Sequence, residues 1–119
     1  AVLVEFGKEA LECIRKNLEK TKLKDRAVVL PVEVTYGVSK LEKMGQVFDL
    51  VYADPPYKKG FEPKILSILA DSSIVKKGTK VILETSLDTE PDYIDESRYE
   101  LLKVKKYKTN QHVFLQVKE

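Results

Sequence analysis

Phe48-Asp49-Leu50-Val51-Tyr52-Ala53-Asp54-Pro55-Pro56-Tyr57 is the stretch on which the fold turns. Phe48 to Ala53 is a near-continuous apolar run, short enough to be a strand and apolar enough to be buried on both faces. Asp54-Pro55-Pro56-Tyr57 ends it abruptly. Two consecutive prolines remove two backbone donors and stiffen the turn. The carbonyl oxygens of Asp54 and Pro55 then have no local partner. A carboxylate, a carbonyl and an aromatic ring are thereby fixed at the carboxyl end of a strand, where open α/β sheets bind ligands. The plain alternative is an ordinary tight turn, because Asp and Pro are common turn residues.

Outward from this stretch the chain alternates. Ala1 to Glu5 reads as a buried strand, broken by Phe6-Gly7. Lys8 to Lys22 places Ala10, Leu11, Ile14 and Leu18 at helical spacing. Arg26 to Val34 reads as a second strand, and its Pro31 fits a strand end or edge better than a central position. Val38 to Met44 is a short helix closed by Gly45. Beyond the central stretch, Glu62 to Leu69 is helical, and Gly78 precedes a buried strand from Lys80 to Thr85. Leu87 to Glu96 is polar loop. Two alternating stretches, Tyr99 to Tyr107 and His112 to Val117, flank a hairpin turn at Thr109-Asn110. This order predicts an α/β fold: a mostly parallel sheet with an antiparallel hairpin at its end.

The composition sets bounds on function. A chain of 119 residues, 43% hydrophobic and 34% charged, suits one folded domain over residues 1–119 rather than two domains or a disordered tail. No apolar run approaches the roughly 20 residues that span a bilayer, so no membrane partner is expected. The lone Cys13 excludes an internal disulfide and suits a reducing, cytoplasmic setting. It reads as a small buried residue of the first helix. No His/Cys cluster has metal-ligand spacing, so no metal is expected. His112 is the only histidine and reads as a strand-face residue rather than a general base. The net charge is only +2, but Lys58 and Lys59 follow the turn, and Lys105, Lys106 and Lys108 crowd the last quarter. Clustered bases of this kind can hold phosphates, or simply form a solvated face.

The turn suits one chemistry well. An exocyclic amine on a nucleic-acid base is a poor nucleophile, because its lone pair is delocalised into the ring. Two acceptors, the Asp54 carboxylate and a nearby carbonyl, can hold its N–H groups and aim the lone pair at an electrophilic methyl. Tyr57 can stack on the flat face of the base.

Asp54-Pro55-Pro56-Tyr57 resembles the [DNS]-P-P-[YFW] signature of amino methyltransferases that use S-adenosylmethionine. Nearly the whole chain is similar to one branch, the RsmD-like small-subunit ribosomal RNA guanine-N2 methyltransferases. VEF at Val4 to Phe6, NLEK at Asn17 to Lys20 and LPVEV at Leu30 to Val34 carry that likeness. So do GTKVILE at Gly78 to Glu84 and KKYK at Lys105 to Lys108. Several expectations follow from the resemblance. The sheet is Rossmann-like. S-adenosylmethionine is the methyl donor and S-adenosylhomocysteine the product. Glu5 meets the ribose hydroxyls of that cofactor, Phe6 packs on its adenine, and Glu33 with Val34 lies near the adenine amine. Asp54 belongs to both cofactor and target, with Pro55, Pro56 and Tyr57 completing the catalytic turn. The lysines at 58, 59, 105, 106 and 108 would meet ribosomal RNA or an assembling small subunit.

Three departures accompany it. The family's Gly-rich turn precedes the Glu5 strand by roughly 20 residues, and none of Gly7, Gly37, Gly45, Gly60 and Gly78 forms a G-x-G. The first strand and its turn are therefore expected to come from a preceding segment or a second chain; without them the sheet has two halves with open edges. Glu33 replaces the usual Asp. Tyr107-Lys108 replaces the usual Tyr-Gly. DNA adenine-N6 methylation uses the same turn chemistry, but the absence of a target-recognition insertion favours RNA. A non-catalytic remnant of the fold is the remaining alternative.

Overall fold

The computed structural model describes residues 1–55 and 59–118. Its contacts divide the chain into a first unit, Ala1–Met44, and a second, Gly45–Glu119.

In the first unit, β1 (Val2–Val4) and β2 (Val28–Leu30) pair in parallel, Val4 opposite Leu30. Between them runs α1 (Lys8–Lys20), which turns Leu11 inward. The helix ends two residues before the pattern suggested. Lys22 adopts a left-handed φ of 60°, and the amides of Lys22 and Leu23 fold back onto the carbonyls of Glu19 and Leu18. That closure normally uses glycine, so the sequence carried no stop signal. Cys13 is exposed, not buried as expected, because the apolar stripe of α1 runs along Leu11, Ile14 and Leu18 and leaves position 13 outside it.

The second strand also ends early. Pro31 follows β2 directly, and Glu33 is the N-cap of α2 (Val34–Lys43) rather than a strand residue. One Glu33 carboxylate oxygen accepts from the Thr35 amide at 3.0 Å and the other from the Thr35 hydroxyl at 3.2 Å. Val34 is thus the first helical residue. Gly37 lets α2 lie against β1: a Cβ there would sit 2.7 Å from a methyl of Val4.

The second unit is one four-stranded sheet of order β3-β4-β6-β5. β3 (Leu50–Ala53) runs parallel to β4 (Lys80–Thr85). β6 (Gln111–Val117) lies antiparallel to both β4 and β5 (Tyr99–Lys106). The parallel sheet with an antiparallel terminal hairpin is the topology the sequence implied. A bulge at Leu101 to Lys103 shifts the register of β5. Edge strand β5 carries Lys103, Lys105 and Lys106, charges of the kind that discourage edge-to-edge pairing.

One face of this sheet is the core. Val81, Leu83, Val113 and Leu115 alternate inward and are wholly buried. α3 (Phe61–Ala70) covers that face with Leu66 and Leu69, and the buried Tyr99 donates its hydroxyl to the Leu66 carbonyl at 2.5 Å. The opposite face is open. β3 is not buried on both sides as its apolar run suggested: Leu50 and Tyr52 remain 58% and 52% exposed. β3 has a ladder partner only in β4 among the described residues, so nothing but its alternate residues, Val51 and Ala53, turns inward.

Buried polar groups pin the ends of the strands. The Thr79 hydroxyl donates to the Phe48 carbonyl at 2.8 Å and accepts from the Lys76 amide at 3.0 Å, tying the approach to β4 to the approach to β3. At the other end the Gln111 amide donates to Thr85 Oγ1 at 3.1 Å and to the Thr89 carbonyl at 2.8 Å, holding the loop after β4.

Burial pushes the phenol of Tyr99 up to about 12, with Asp71 adding and Arg98 opposing. The folded value lies above the usual 10, so the stabilisation is full below pH 10 and is lost as pH climbs from 10 towards 12. Between pH 9 and pH 11 the expected loss is roughly 1.4 kcal/mol, about half of what the full shift gives above pH 12. Urea melts at pH 9 and pH 11 should show it, and Tyr99→Phe should flatten that slope. Tyr93, pushed to about 12 mainly by burial and next by Glu62, would leave a smaller residual slope. An unchanged slope in Tyr99→Phe would show that this phenol does not couple to folding.

Candidate active site

β3 delivers the decisive turn. Ala53 pairs with Leu83 of β4, so Asp54 and Glu84 follow at the same level on adjacent parallel strands. Asp54 is exposed at the carboxyl end of the sheet, and Pro55 is buried beneath it. Pro56, Tyr57 and Lys58 lie outside the described residues.

Next to Asp54 the structure gathers residues that the sequence reading had set aside. The Tyr52 hydroxyl donates to Glu84 Oε1 at 2.8 Å. His112, directly opposite Glu84 on β6, brings Nε2 to 3.4 Å from that oxygen and from the Tyr52 hydroxyl. The Tyr52 and His112 rings meet edge to face at 5.7 Å, and Tyr107 lies against His112 at 4.7 Å. Lys105 reaches over the Tyr107 ring at 5.3 Å. Glu84 and His112 are only 18% and 21% exposed. The signal was available in period two: Tyr52 stands two residues before Asp54, so it shares the Asp54 face, and Glu84 and His112 lie on that face of their own strands.

In the first unit, Glu5 and Glu33 stand beyond the carboxyl ends of β1 and β2. Glu5 Oε2 accepts from the amides of Phe6 and Gly7 at 2.8 and 3.0 Å, while Oε1 has no hydrogen bond among the described residues. A carboxylate anchored by one oxygen and open at the other suits a vicinal diol. Phe6 beside it is 71% exposed, an apolar ring available to a flat ligand. Both Glu33 oxygens accept from Thr35, which fixes the carboxylate and leaves each oxygen a second acceptor position.

Lys59, Lys105, Lys106 and Lys108 are all exposed. Lys105 shares the His112 face, whereas Lys106 pairs with Gln111. A concavity of the second unit, about 710 Å³, is lined by Lys77, Gly78, Gln116 and Lys118, among others. It opens at the amino end of β4, away from Asp54 and Glu84. Among the described residues no group of His, Cys, Asp and Glu could hold a metal, and no helix is long and apolar enough to cross a membrane.

A family model described as conserved hypothetical protein 95 matches residues 1–117. The chain belongs to this family, the RsmD-like methyltransferases. Over 78 residues, 62% of its length, the RsmD-like chain is 34% identical to an uncharacterized methylase of Rickettsia prowazekii. That match spans 32% of the relative's own length. A conserved hypothetical protein of Streptococcus pyogenes superposes with a TM-score of 0.81 at 29% identity, covering 100% of this chain and 71% of that one. A candidate methylase of Haemophilus influenzae superposes at 0.74 with 22% identity, over 99% of this chain and 72% of its own, and bears on the fold alone.

Proposed function

We propose that residues 1–119 belong to a single methyltransferase domain that transfers a methyl group from S-adenosylmethionine to the N2 amine of a guanine in small-subunit ribosomal RNA in the cytoplasm. The observation that carries this reading is the exposed Asp54 carboxylate at the carboxyl end of β3, set by a buried Pro55, in a chain of the RsmD-like family. S-adenosylmethionine supplies the electrophilic methyl. The chain's own residues supply the rest. Glu5 Oε1 would accept from the ribose hydroxyls, and Phe6 would pack on the adenine. Asp54 would accept an N–H of the target amine, opposing the positive charge that builds on nitrogen as the carbon–nitrogen bond forms. Asp54 then stands ready to take the proton that the methylated amine must shed. Exposed Lys59, Lys105 and Lys108 would meet phosphates, whose grip weakens steeply with salt.

The test is methyl transfer from labelled S-adenosylmethionine to small-subunit ribosomal RNA and to assembling subunits, with the modified nucleoside identified by mass spectrometry. N2-methylguanosine is the expected product. N6-methyladenine from a DNA substrate alone, or no transfer at all from a chain that binds S-adenosylhomocysteine, would overturn the reading.

A further inference from the structure

We propose that Glu84 reads the ring N–H beside the target amine and so makes the site selective for guanine. This rests on the proposed guanine-amine reading and names the residue that enforces it.

Neighbouring strands lie roughly 4.8 Å apart. Ala53 and Leu83 are register partners, so the chain carries Asp54 and Glu84 out at the same level on adjacent strands, at one end of the sheet. A guanine edge presents two kinds of donor on adjacent atoms, the exocyclic amine and the ring N–H. An ionised carboxylate is acceptor-only. With Asp54 on the amine, a second carboxylate one strand away is placed for the ring N–H. Adenine carries no donor at the corresponding ring nitrogen, and meeting Glu84 there would set acceptor against acceptor.

Glu84 is held for such a task. The Tyr52 hydroxyl fixes Oε1 at 2.8 Å, and His112 flanks it at 3.4 Å. Tyr107 backs the His112 ring at 4.7 Å. A carboxylate kept mostly out of water, with the Tyr52 hydroxyl and the His112 ring against it, cannot swing freely, and a fixed acceptor discriminates better than a mobile one. A purely structural network would also join these strands, so the test reads selectivity rather than stability.

The probes are two otherwise identical RNA substrates, one with guanine at the target position and one with 2-aminopurine. The second keeps the exocyclic amine and lacks the ring N–H. The full chain should favour guanine in kcat/KM by about tenfold to a hundredfold, the range for one hydrogen bond to a charged group. Glu84→Gln keeps the side chain's shape and an acceptor for Tyr52. It should bring the two substrates within about threefold of each other, mainly by slowing guanine, with S-adenosylhomocysteine affinity unchanged. Tyr52→Phe should erode the preference partially. A wild-type ratio near one, or a full ratio surviving in Glu84→Gln, would overturn the assignment of Glu84 and leave the guanine-amine reading intact. Failure of a wild-type chain that binds S-adenosylhomocysteine to methylate either substrate would overturn that reading, and Glu84's role with it.

Discussion

Asp54→Ala should lower methyl transfer by about a thousandfold or more, far more than it weakens S-adenosylhomocysteine binding. The exocyclic amine of guanine is nearly planar, its lone pair shared with the ring. Attack on carbon requires that lone pair to localise, and the nitrogen becomes positive as it does. A carboxylate hydrogen-bonded to the amine is stronger in the transition state than in the ground state, which is the condition for raising kcat rather than merely lowering KM. Losing an oriented acceptor of this kind costs on the order of 4 kcal/mol. Asp54 is exposed at a strand end, so its truncation opens no cavity in the core. Asp54→Asn separates charge from geometry. It keeps a carbonyl acceptor and should hold an intermediate rate, since the motif that the turn resembles admits Asn. Equal losses for Ala and Asn would mean that charge or proton acceptance dominates. An undiminished rate in Asp54→Ala would remove the residue from the mechanism.

The sequence carried the turn and the topology because each rests on local chemistry. An apolar run stopped by two prolines has few conformations open to it, and period-two alternation at the end of the chain dictates a hairpin with one buried face. Boundaries were less legible where an unusual residue does a common job. Lys22 closes a helix where glycine is expected, and Glu33 caps one where Ser, Thr, Asp or Asn would have been recognised. The strand boundary had a second source of error: the strand was extended through Pro31 to Val34, onto a ladder that Glu33 never joins. The cluster of Tyr52, Glu84 and His112 was only half legible: period two puts each residue on the open face of its own strand, but not beside the others. Its members are 32 and 60 residues apart and meet only through the register of β3, β4 and β6. A lone histidine on an alternating strand carries no mark of which carboxylate will face it.

Register also separates two leucines that composition treats alike. Leu83→Ala should destabilise this chain by roughly 3 kcal/mol, and Leu50→Ala by well under 1 kcal/mol. Leu83 is wholly buried on one of the two inner strands of its sheet, opposite Ala53 on one side and Val113 on the other. Truncation there removes the transfer energy of three carbons and leaves a void that a sheet bonded on both sides collapses poorly to fill. Leu50 stands on β3 with its side chain more than half exposed, so little apolar area returns to water when it is cut back. For a unit of this size, 3 kcal/mol corresponds to a melting shift of roughly 12–24 °C. Denaturant melts of the two variants beside the parent chain would measure the difference. Similar losses for both would mean that the open face is covered as thoroughly as the core face, and the one-sided burial of β3 would have to be given up. A large loss for Leu83 alone ties Asp54 to the core by a short path: Leu83 packs the strand whose register partner, Ala53, sets the position of the next residue. A partly active Leu83→Ala should therefore lose kcat before it loses cofactor affinity, because the turn bearing Asp54 loosens while Glu5 keeps its anchoring amides.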